Sequence, residues 1–221
     1  MLTGMDELKQ KAAHEAVKQV RDGMVVGLGT GSTARHAIVR LGEMVVRGLD
    51  IVGIATSVES ERLARKVDIP MADINEYEVI DITIDGADEV NGDLVLIKGG
   101  GGALLREKIV ASCSKKEIIV VDEGKLVKKF SFPLPVEVVP FGWKRTADKL
   151  RAFGFTPQLR KGFVTDSGNV ILDCHYDELG SPEKIERAVN NLPGVVECGL
   201  FINLADEVIV GKREGVERLK Q

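Results

Sequence analysis

The first part of the chain carries apolar residues at every fourth position, namely Leu8, Ala12, Ala16 and Val20. This spacing keeps them on one face of a helix, so we predict an amphipathic helix between Asp6, as its N-cap, and Gly23, as its stop. The next segment, MVVGLG, is a short apolar run of the kind that forms a buried strand. A glycine-rich bend follows it.

The alternation of helical patterns and apolar runs continues to about residue 125. A second helix is predicted from about Ala34 to Val46, with Ser32 or Thr33 as its cap. Later strands are predicted over residues 51–57, 79–85, 94–100 and 117–122, and later helices over residues 59–67 and 103–113. Strands that are continuous Val/Ile runs and alternate with helices indicate a mostly parallel sheet covered on both faces. We therefore predict a doubly wound, Rossmann-like α/β domain.

The pattern changes near Phe130. The segment SFPLPVEVVP has three prolines in ten residues, which favours a connection between domains over a central strand. Beyond it we predict a smaller α+β domain with an antiparallel sheet: helices over 146–154 and 182–194, and strands over 157–160, 162–166, 169–174 and 198–203. The last segment, 207–220, is predicted as a strand and then a helix that return to the first domain. The predicted domains are thus 1–130 with 205–221, and 131–204.

Composition narrows the class of protein. The 221 residues are 44% apolar and 29% charged, enough apolar material for a core, and the net charge of -4 argues against a general nucleic-acid binder. No apolar run is long enough for a membrane span, and the start of the chain is too charged for a secretory signal. The three cysteines are far apart without a C-x-x-C pair, which disfavours a disulfide framework or a structural zinc site. We expect a soluble, cytoplasmic protein with neither nucleic acid nor membrane as a partner.

The first glycine-rich turn, GLGTGST over residues 27–33, is a candidate anion site. Its glycines let backbone N–H groups approach a ligand, and the dipole of the next helix favours negative charge there. Ser32 replaces the third glycine of the dinucleotide fingerprint, and no acid ends the following strand. We therefore favour phosphate over a tight turn without ligand, with Thr30, Gly31, Ser32 and Thr33 as the candidate binding residues.

The second turn, DGADE over residues 85–89, follows the strand predicted over 79–85. Asp85 and Asp88, separated by Gly86 and Ala87, can both face the cleft at the strand end. They could hold sugar hydroxyls, move protons or bind a divalent cation, or they could belong to a solvated Asp-Gly turn. The spacing alone leaves these alternatives open.

The third turn, KGGGG over residues 98–102, is followed by a helix that carries Glu107. Four consecutive glycines make sense where a backbone lies against a ligand or forms a nest of amides for an oxyanion, which makes Lys98, Gly99, Gly100 and Gly101 candidates. A partly desolvated Glu107 would have the raised pKa that a general base needs. The alternative is an exposed glutamate paired with Lys108 or Arg106.

A fourth candidate, Lys125, follows the strand predicted over 117–122 and could neutralise a phosphate at the same sheet edge. Open α/β sheets bind ligands at the carboxyl ends of their strands. We therefore expect the three turns and Lys125 to converge.

Six stretches in order resemble the ribose-5-phosphate isomerase A family: GLGTGSTA (27–34), IDGADEVNG (84–92), KGGGGALLREKI (98–109), FPLPVEVVP (132–140), VTDSGNVILD (164–173) and LPGVVECGLF (192–201). Each motif is modest alone, but the ordered set is specific and covers both predicted domains. Leu105 and Gly102 depart from the threonine and alanine that many members have, at positions the family's chemistry does not need.

The resemblance implies interconversion of D-ribose 5-phosphate and D-ribulose 5-phosphate, in the non-oxidative pentose phosphate pathway, without a metal or an organic cofactor. It assigns to Glu107 the proton transfer between C2 and C1 through an enediol. It gives Asp85 a part in opening the furanose ring, Asp88 the hydroxyls, and Lys98 with the amides of residues 99–101 the enediolate oxygen. The phosphate would be held by residues 30–33 and Lys125, with a weaker case for Lys9. Members of the family are typically homodimers or homotetramers.

Three other functions are weighed against this one. Amino-sugar phosphate deaminases use a similar sheet. A sugar-phosphate sensor would need a helix-turn-helix, and residues 1–23 supply only one helix before the first strand. A nicotinamide-dependent dehydrogenase is disfavoured by the failed fingerprint.

Overall fold

A computed structural model describes residues 4–220. Residues 1–3 and 221, at the ends of the predicted first domain, lie outside the described residues. The helices are α1 (Gly4–Val17), α2 (Ser32–Val46), α3 (Val58–Lys66), α4 (Leu104–Ser112), α5 (Trp143–Arg151) and α6 (Pro182–Asn190). The strands are β1 (Met24–Leu28), β2 (Ile51–Ala55), β3 (Ile82–Asp85), β4 (Glu89–Val90), β5 (Leu96–Ile97), β6 (Glu117–Asp122), β7 (Leu134–Val138), β8 (Thr156–Leu159), β9 (Val170–His175), β10 (Val195–Cys198), β11 (Leu200–Phe201), β12 (Glu207–Lys212) and β13 (Gly215–Lys220).

The central sheet has six strands in the order β13-β12-β6-β3-β1-β2, and all neighbours except β12 and β13 are parallel. Apolar residues of α1, α2 and α3 pack on one face of this sheet, and α4 packs on the other. The Val/Ile runs of β1, β3 and β6 are buried because both faces are covered. The predicted doubly wound, mostly parallel α/β fold is confirmed.

A second sheet is antiparallel, with the order β10-β7-β9-β8. Its core takes Ala147 and Leu150 from α5 and Val189 from α6. β11 lies in the range predicted for the smaller domain, yet it pairs with β5 in a third, three-stranded sheet. The proposed boundaries, 1–130 with 205–221 and 131–204, stay a prediction.

The segment predicted as a connection contains an inner strand, β7, which pairs with both β10 and β9. Proline has no N–H to donate, but Pro135 faces β10 beyond the last residue pair of these two strands, Cys198 with Val136. Its presence therefore costs no hydrogen bond of the sheet. The Pro135 carbonyl, on the same side, accepts from Gly199 N at 2.8 Å. Its pairing with β9 is therefore kept, and the expectation based on proline content is wrong.

The strand predicted over 94–100 is shorter than expected and lies outside the central sheet. Asn91 accepts hydrogen bonds from the N–H groups of Asp93 and Val95, so the chain turns back at once after β4. β5 then pairs antiparallel with β4. A parallel strand would have needed a crossover, and no helix separates β3 from β5.

The last segment is a hairpin of β12 and β13, so the predicted C-terminal helix is wrong. A short turn with Gly215 at φ +125° joins the strands. Lys212 and Glu217 form an ion pair across them, and Arg218 pairs with Glu207. These ion pairs join the two strands and stabilise the edge strand β13.

Three smaller predictions also fail. Asp6 lies inside α1, where its carboxylate meets His36 Nε2 at 3.0 Å, and the helix ends at Val17, before Gly23. Ser32 and Thr33 lie in the first turn of α2, which has Gly31 as its N-cap and no capping side chain. The strand predicted over 162–166 is part of a loop between β8 and β9.

Over the described residues, no helix has the length and apolar character needed to cross a membrane.

Candidate active site

The three turns meet at the carboxyl edge of the central sheet, as predicted. They enclose a cavity of about 120 Å³ lined by Lys9, Thr30, Gly31, Ser32, Thr33, Gly86, Ala87, Asp88, Lys98, Gly99, Gly101, Glu107 and Lys125. Two of the predicted site residues, Asp85 and Gly100, are not part of this lining. Asp85 lies beneath it, fully buried, and Gly100 hydrogen-bonds to Asp88 in the wall.

Asp85 ends β3 and organises the floor of the cavity. Its Oδ1 accepts from the backbone N–H groups of Thr30, at 2.9 Å, and Gly86, at 2.7 Å. Gly29 is required beside it because a Cβ there would lie 2.3 Å from Asp85 Oδ1. The first and second turns are thus held together by one carboxylate.

Lys98 is the cation of this floor and is 2% exposed. Its Nζ lies 3.0 Å from Asp85 Oδ2 and 3.1 Å from Glu107 Oε1, and it donates a short hydrogen bond to the Gly86 carbonyl. Burial alone would lower the pKa of Lys98, but the charges of Asp85 and Glu107 outweigh burial and raise it above its ordinary value. Lys98 is therefore a permanent positive charge at the site.

Glu107 points into the cavity from the first turn of α4 and is 5% exposed. Burial raises its pKa to about 8, the attraction of Lys98 opposes the rise, and the charge of Asp85 adds to it. A carboxyl with such a pKa can both take and return a proton near neutral pH. The alternative of an exposed Glu107 is wrong: Lys108 pairs with Glu197 and Glu186 instead, and Arg106 pairs with Asp166.

Asp88 stands in the cavity wall and holds the glycine run. Its Oδ2 accepts from Gly100 N at 2.6 Å. Burial raises the pKa of Asp88, while the Gly100 N–H and the charge of Lys98 oppose the rise. A Cβ on Gly100 would lie 2.4 Å from Asp88 Oδ1, so a glycine is needed at this contact. The Asp88 carboxylate can accept a hydrogen bond from a hydroxyl of a bound sugar.

The opposite end of the cavity is suited to an anion. The N-terminus of α2 opens there, with Gly31 at φ +102° before Ser32 and Thr33. Lys9 reaches in from α1 and donates to Ser32 Oγ at 3.0 Å, and Lys125 enters from the turn after β6. Two ammonium groups and a helix N-terminus can neutralise a phosphate.

Thr30 was expected to bind the phosphate, but its hydroxyl is used in contacts within the protein. Its hydroxyl contacts the hydroxyls of Thr56, Ser57 and Ser60, at 2.7, 2.8 and 3.2 Å, and its N–H is taken by Asp85. The side chain therefore joins the first turn to the N-terminus of α3. Ser32 and Thr33 remain as the hydroxyls of the anion end.

The sequence of this chain matches one family of known proteins. The sequence model of the family described as ribose 5-phosphate isomerase A (phosphoriboisomerase A) matches residues 52–215. Ribose-5-phosphate isomerase A of Bacillus mycoides is 48% identical over 219 residues, covering 96% of this chain and 99% of that protein. The chain belongs to the ribose 5-phosphate isomerase A family.

Solved structures agree with this assignment. A D-ribose-5-phosphate isomerase in complex with phospho-erythronic acid has a TM-score of 0.96 and 43% identity, over 99% of this chain and 100% of that one. The ribose 5-phosphate isomerase A of Methanocaldococcus jannaschii has a TM-score of 0.94 and 43% identity, over 98% of this chain and 99% of that one. The chain thus matches ribose 5-phosphate isomerases A over nearly their whole length.

In this ribose 5-phosphate isomerase A family member, Glu117 at the start of β6 is a buried acid that was not predicted from the sequence. It is 2% exposed, and within residues 4–220 neither of its carboxyl oxygens has a hydrogen-bond partner. Burial, and then the charge of Asp85, raise its pKa well above the ordinary value. Glu117 begins a strand of Val and Ile residues, and nothing in this local pattern indicates that Asp85 lies nearby.

A metal site was one of the alternatives for Asp85 and Asp88. Among the residues that the structure describes, no group of three or more His, Cys, Asp or Glu side chains is arranged to hold a metal ion. Asp85 instead uses its oxygens on two backbone N–H groups and Lys98. The three cysteines are free.

Proposed function

We propose that this chain interconverts D-ribose 5-phosphate and D-ribulose 5-phosphate through an enediol, with Glu107 as the base. The observation that carries the proposal is the position of Glu107: buried, with a pKa raised to about 8, beside Lys98, in a cavity whose far end is built for an anion. The names of the similar proteins support the same reaction.

In the proposed reaction the phosphate lies against Ser32, Thr33, Lys9 and Lys125, and the open-chain aldehyde lies near Glu107. The carboxylate takes the proton from C2, and the electron pair of the C–H bond forms the C1–C2 double bond while the C1 oxygen becomes an oxyanion. Lys98 and the N–H groups of Gly99 and Gly101 stabilise that oxygen, while the Gly100 N–H is already bound to Asp88. A proton then passes from the O2 hydroxyl to the C1 oxyanion. The electron pair left on O2 forms the C2 carbonyl, and the electron pair of the C1–C2 double bond takes the proton of Glu107 at C1. The product is the ketose.

Ring opening comes before the proton transfer, because the transfer starts from the open-chain aldehyde. The part assigned to Asp85 stays a prediction, because its carboxylate lies beneath the cavity lining and is occupied by two N–H groups and Lys98. Asp88 lines the cavity and is proposed to hold sugar hydroxyls. Binding of the phosphate at a distance from C1 and C2 supplies energy that positions these carbons.

Isomerisation in D₂O tests the proton transfer. An enediol that exchanges its proton through Glu107 places solvent deuterium at C1 of ribulose 5-phosphate, which NMR detects. A direct hydride shift never exchanges with solvent, so sugar phosphates that stay free of deuterium after many rounds of forward and reverse reaction would refute the enediol. The assay is run with a chelator, so that it also tests the expected independence from a metal. Ammonia release from glucosamine 6-phosphate would identify a deaminase instead.

Assembly and location are further parts of the proposal. A homodimer or homotetramer is supported by large apolar side chains on the surface, since Phe141 is 94% and Val164 65% exposed. A cytoplasmic location is supported by the free thiols of Cys113, Cys174 and Cys198, which a reducing compartment preserves. Sedimentation equilibrium of the purified protein distinguishes the oligomers and would exclude both if it gave a monomer.

A further inference from the structure

A loop far along the chain, residues 160–169 between β8 and β9, contacts the glycine run of the active site, residues 99–102. Arg160 makes the central contact. Its Nη1 donates to the carbonyl oxygens of Gly99 and Gly100, both at 3.1 Å. Its Nε and Nη2 donate to the two carboxylate oxygens of Asp173, at 3.0 and 2.5 Å. One guanidinium thus joins the run to β9.

These contacts determine which way the amides of the run point. In a trans peptide the carbonyl and the following N–H point in opposite directions, and the described residues contain no cis peptide. With the Gly99 carbonyl on Arg160, the Gly100 N–H points the other way, to Asp88 in the cavity wall. With the Gly100 carbonyl also on Arg160, the Gly101 N–H is directed away from the guanidinium, and Gly101 lines the cavity.

The glycine run needs such an external support. Within the run, Gly102 N donates to the Gly99 carbonyl at 2.9 Å, but the Gly100 carbonyl has only Arg160 as its partner among the hydrogen bonds of the described residues. Because glycine has more backbone freedom than any other residue, the peptide between Gly100 and Gly101 depends on that contact for its orientation. Asp173 is well placed to anchor the support, because it lies in β9, paired with Pro135 of β7 and Gln158 of β8. A planar guanidinium can serve this carboxylate and two carbonyls together, which a lysine ammonium cannot do in the same geometry.

We propose that Arg160 is a positioning residue: held by Asp173, it orients the peptide between Gly100 and Gly101 so that the Gly101 N–H faces the oxygen that becomes negative in the reaction. This inference rests on the proposed function of the cavity. It adds a residue outside the cavity lining to the machinery that stabilises the oxyanion. Arg160 itself does not contact the reacting atoms.

The test compares Arg160→Lys, Arg160→Ala and Asp173→Asn with the wild type and with Arg151→Ala as a matched control. Arg151 pairs with Asp148 on α5 and is exposed. We expect kcat to fall by about 10²-fold in the Arg160 variants, as for loss of one oxyanion donor. We expect KM to change by less than about threefold, because the phosphate contacts remain. Arg151→Ala should leave both constants unchanged.

Two ligands separate positioning from a structural role. Phospho-erythronic acid has a planar carboxylate that mimics the enediolate oxygens, and erythritol 4-phosphate has an alcohol in its place. The Arg160 variants should lose affinity for the first in parallel with kcat/KM and keep affinity for the second. An equal loss for both ligands, or a kcat within about threefold of the wild type, would overturn the proposal.

Folding and function are controlled separately. Thermal unfolding of each variant shows whether it is folded, and Arg160→Lys decides the question if Arg160→Ala is not. A wild type without isomerase activity would refute the proposed function. An active wild type with unimpaired Arg160 variants would refute this inference alone.

Discussion

The ammonium nitrogen of Lys98 lies 3.1 Å from Oε1 of Glu107, and both side chains are buried. Lys98 also lies 3.0 Å from Asp85 Oδ2, so one cation serves two carboxylates. The two acids cannot both be fully neutralised by it. Burial is the main cause of the raised pKa of Glu107, and the negative charge of Asp85 adds to it.

Replacing the base with its amide should stop turnover and spare binding. In Glu107→Gln we expect kcat to fall by about 10²–10⁴-fold, the usual contribution of a general base, because an amide cannot take the proton. The affinity for erythritol 4-phosphate, which does not mimic the enediolate, should change far less when it is measured by calorimetry. Glu61→Gln, at a partly exposed position of α3 where Glu61 pairs with Arg65, is the control. Near-normal turnover of Glu107→Gln would remove Glu107 from the mechanism.

The activity should depend on pH through the same carboxyl. The base must be ionised, and burial raises the pKa of Glu107 to about 8, so kcat/KM in the free enzyme should increase as the pH rises towards that value. A pH–rate profile measured from pH 4 to 9 locates this limb. An acid limb near the ordinary glutamate value of 4.5 would contradict the pKa assigned to Glu107.

Loss of a phosphate contact should appear mainly in KM. Lys125 lines the anion end of the cavity, while Lys128, in the same segment, is exposed. Because a hydrogen bond to a charged group contributes about 1.5–3 kcal/mol, Lys125→Ala should lower kcat/KM by about 10–100-fold. Lys128→Ala should have no effect. Equal behaviour of the two variants would place the phosphate elsewhere.

A methyl group at Gly29 should disturb the floor of the site. A Cβ there would lie 2.4 Å from the Asp85 Cα, which is backbone and cannot move aside. We expect Gly29→Ala to lose about 1–3 kcal/mol of unfolding free energy through overpacking, measured by urea denaturation, and to lose activity with it. Gly92→Ala is the control, because a Cβ at Gly92 has no atom within 4 Å. An undisturbed Gly29→Ala would show that Asp85 and the first turn can separate.

The buried acid Glu117 should cost stability, and more at high pH. Burial raises its pKa well above 4.5, so from about pH 4.5 upwards the unfolded chain loses this proton while the folded chain keeps it, and stability falls as the pH rises. Glu117→Leu should therefore raise the unfolding free energy by about 1–3 kcal/mol near neutral pH. Urea denaturation at several pH values measures the difference.

A second substitution at this position separates charge from polarity. Glu117→Gln keeps the polar atoms and removes the ionisation. It should lose the pH dependence and gain less stability than Glu117→Leu. If the leucine variant were less stable than the wild type at every pH, the carboxyl would have a partner that the described residues do not supply.

Much of the central sheet could be predicted from sequence because its strands are apolar runs separated by helical patterns. The strand predicted over 117–122 has the bounds of β6. The errors occur where a pairing partner decides the structure. The proline-rich segment is a strand because β9 and β10 lie on either side of it, and residues 215–220 are a strand because they pair with β12.

The site shows the same division. Turns at strand ends could be assigned to one edge of the sheet from topology, and the structure brings them together there. Which atoms face the cavity could not be predicted. The Thr30 hydroxyl is taken by α3, and Arg160 reaches the glycine run from a loop that looked like a strand. Such contacts join residues far apart in the chain and leave no local pattern.

The backbone of Lys98 is held by the other end of the polypeptide, since its N–H donates to the Gly199 carbonyl at 2.9 Å. The neighbouring residues of β5 pair with β11, and β12 completes the sheet beside β6. A nascent chain still on the ribosome therefore lacks the partner of the Lys98 backbone N–H until residue 199 has been synthesised. We therefore expect the active site to fold slowly and in one step, after most of the chain has been synthesised. Truncated chains from arrested translation should show isomerase activity only when they include β12.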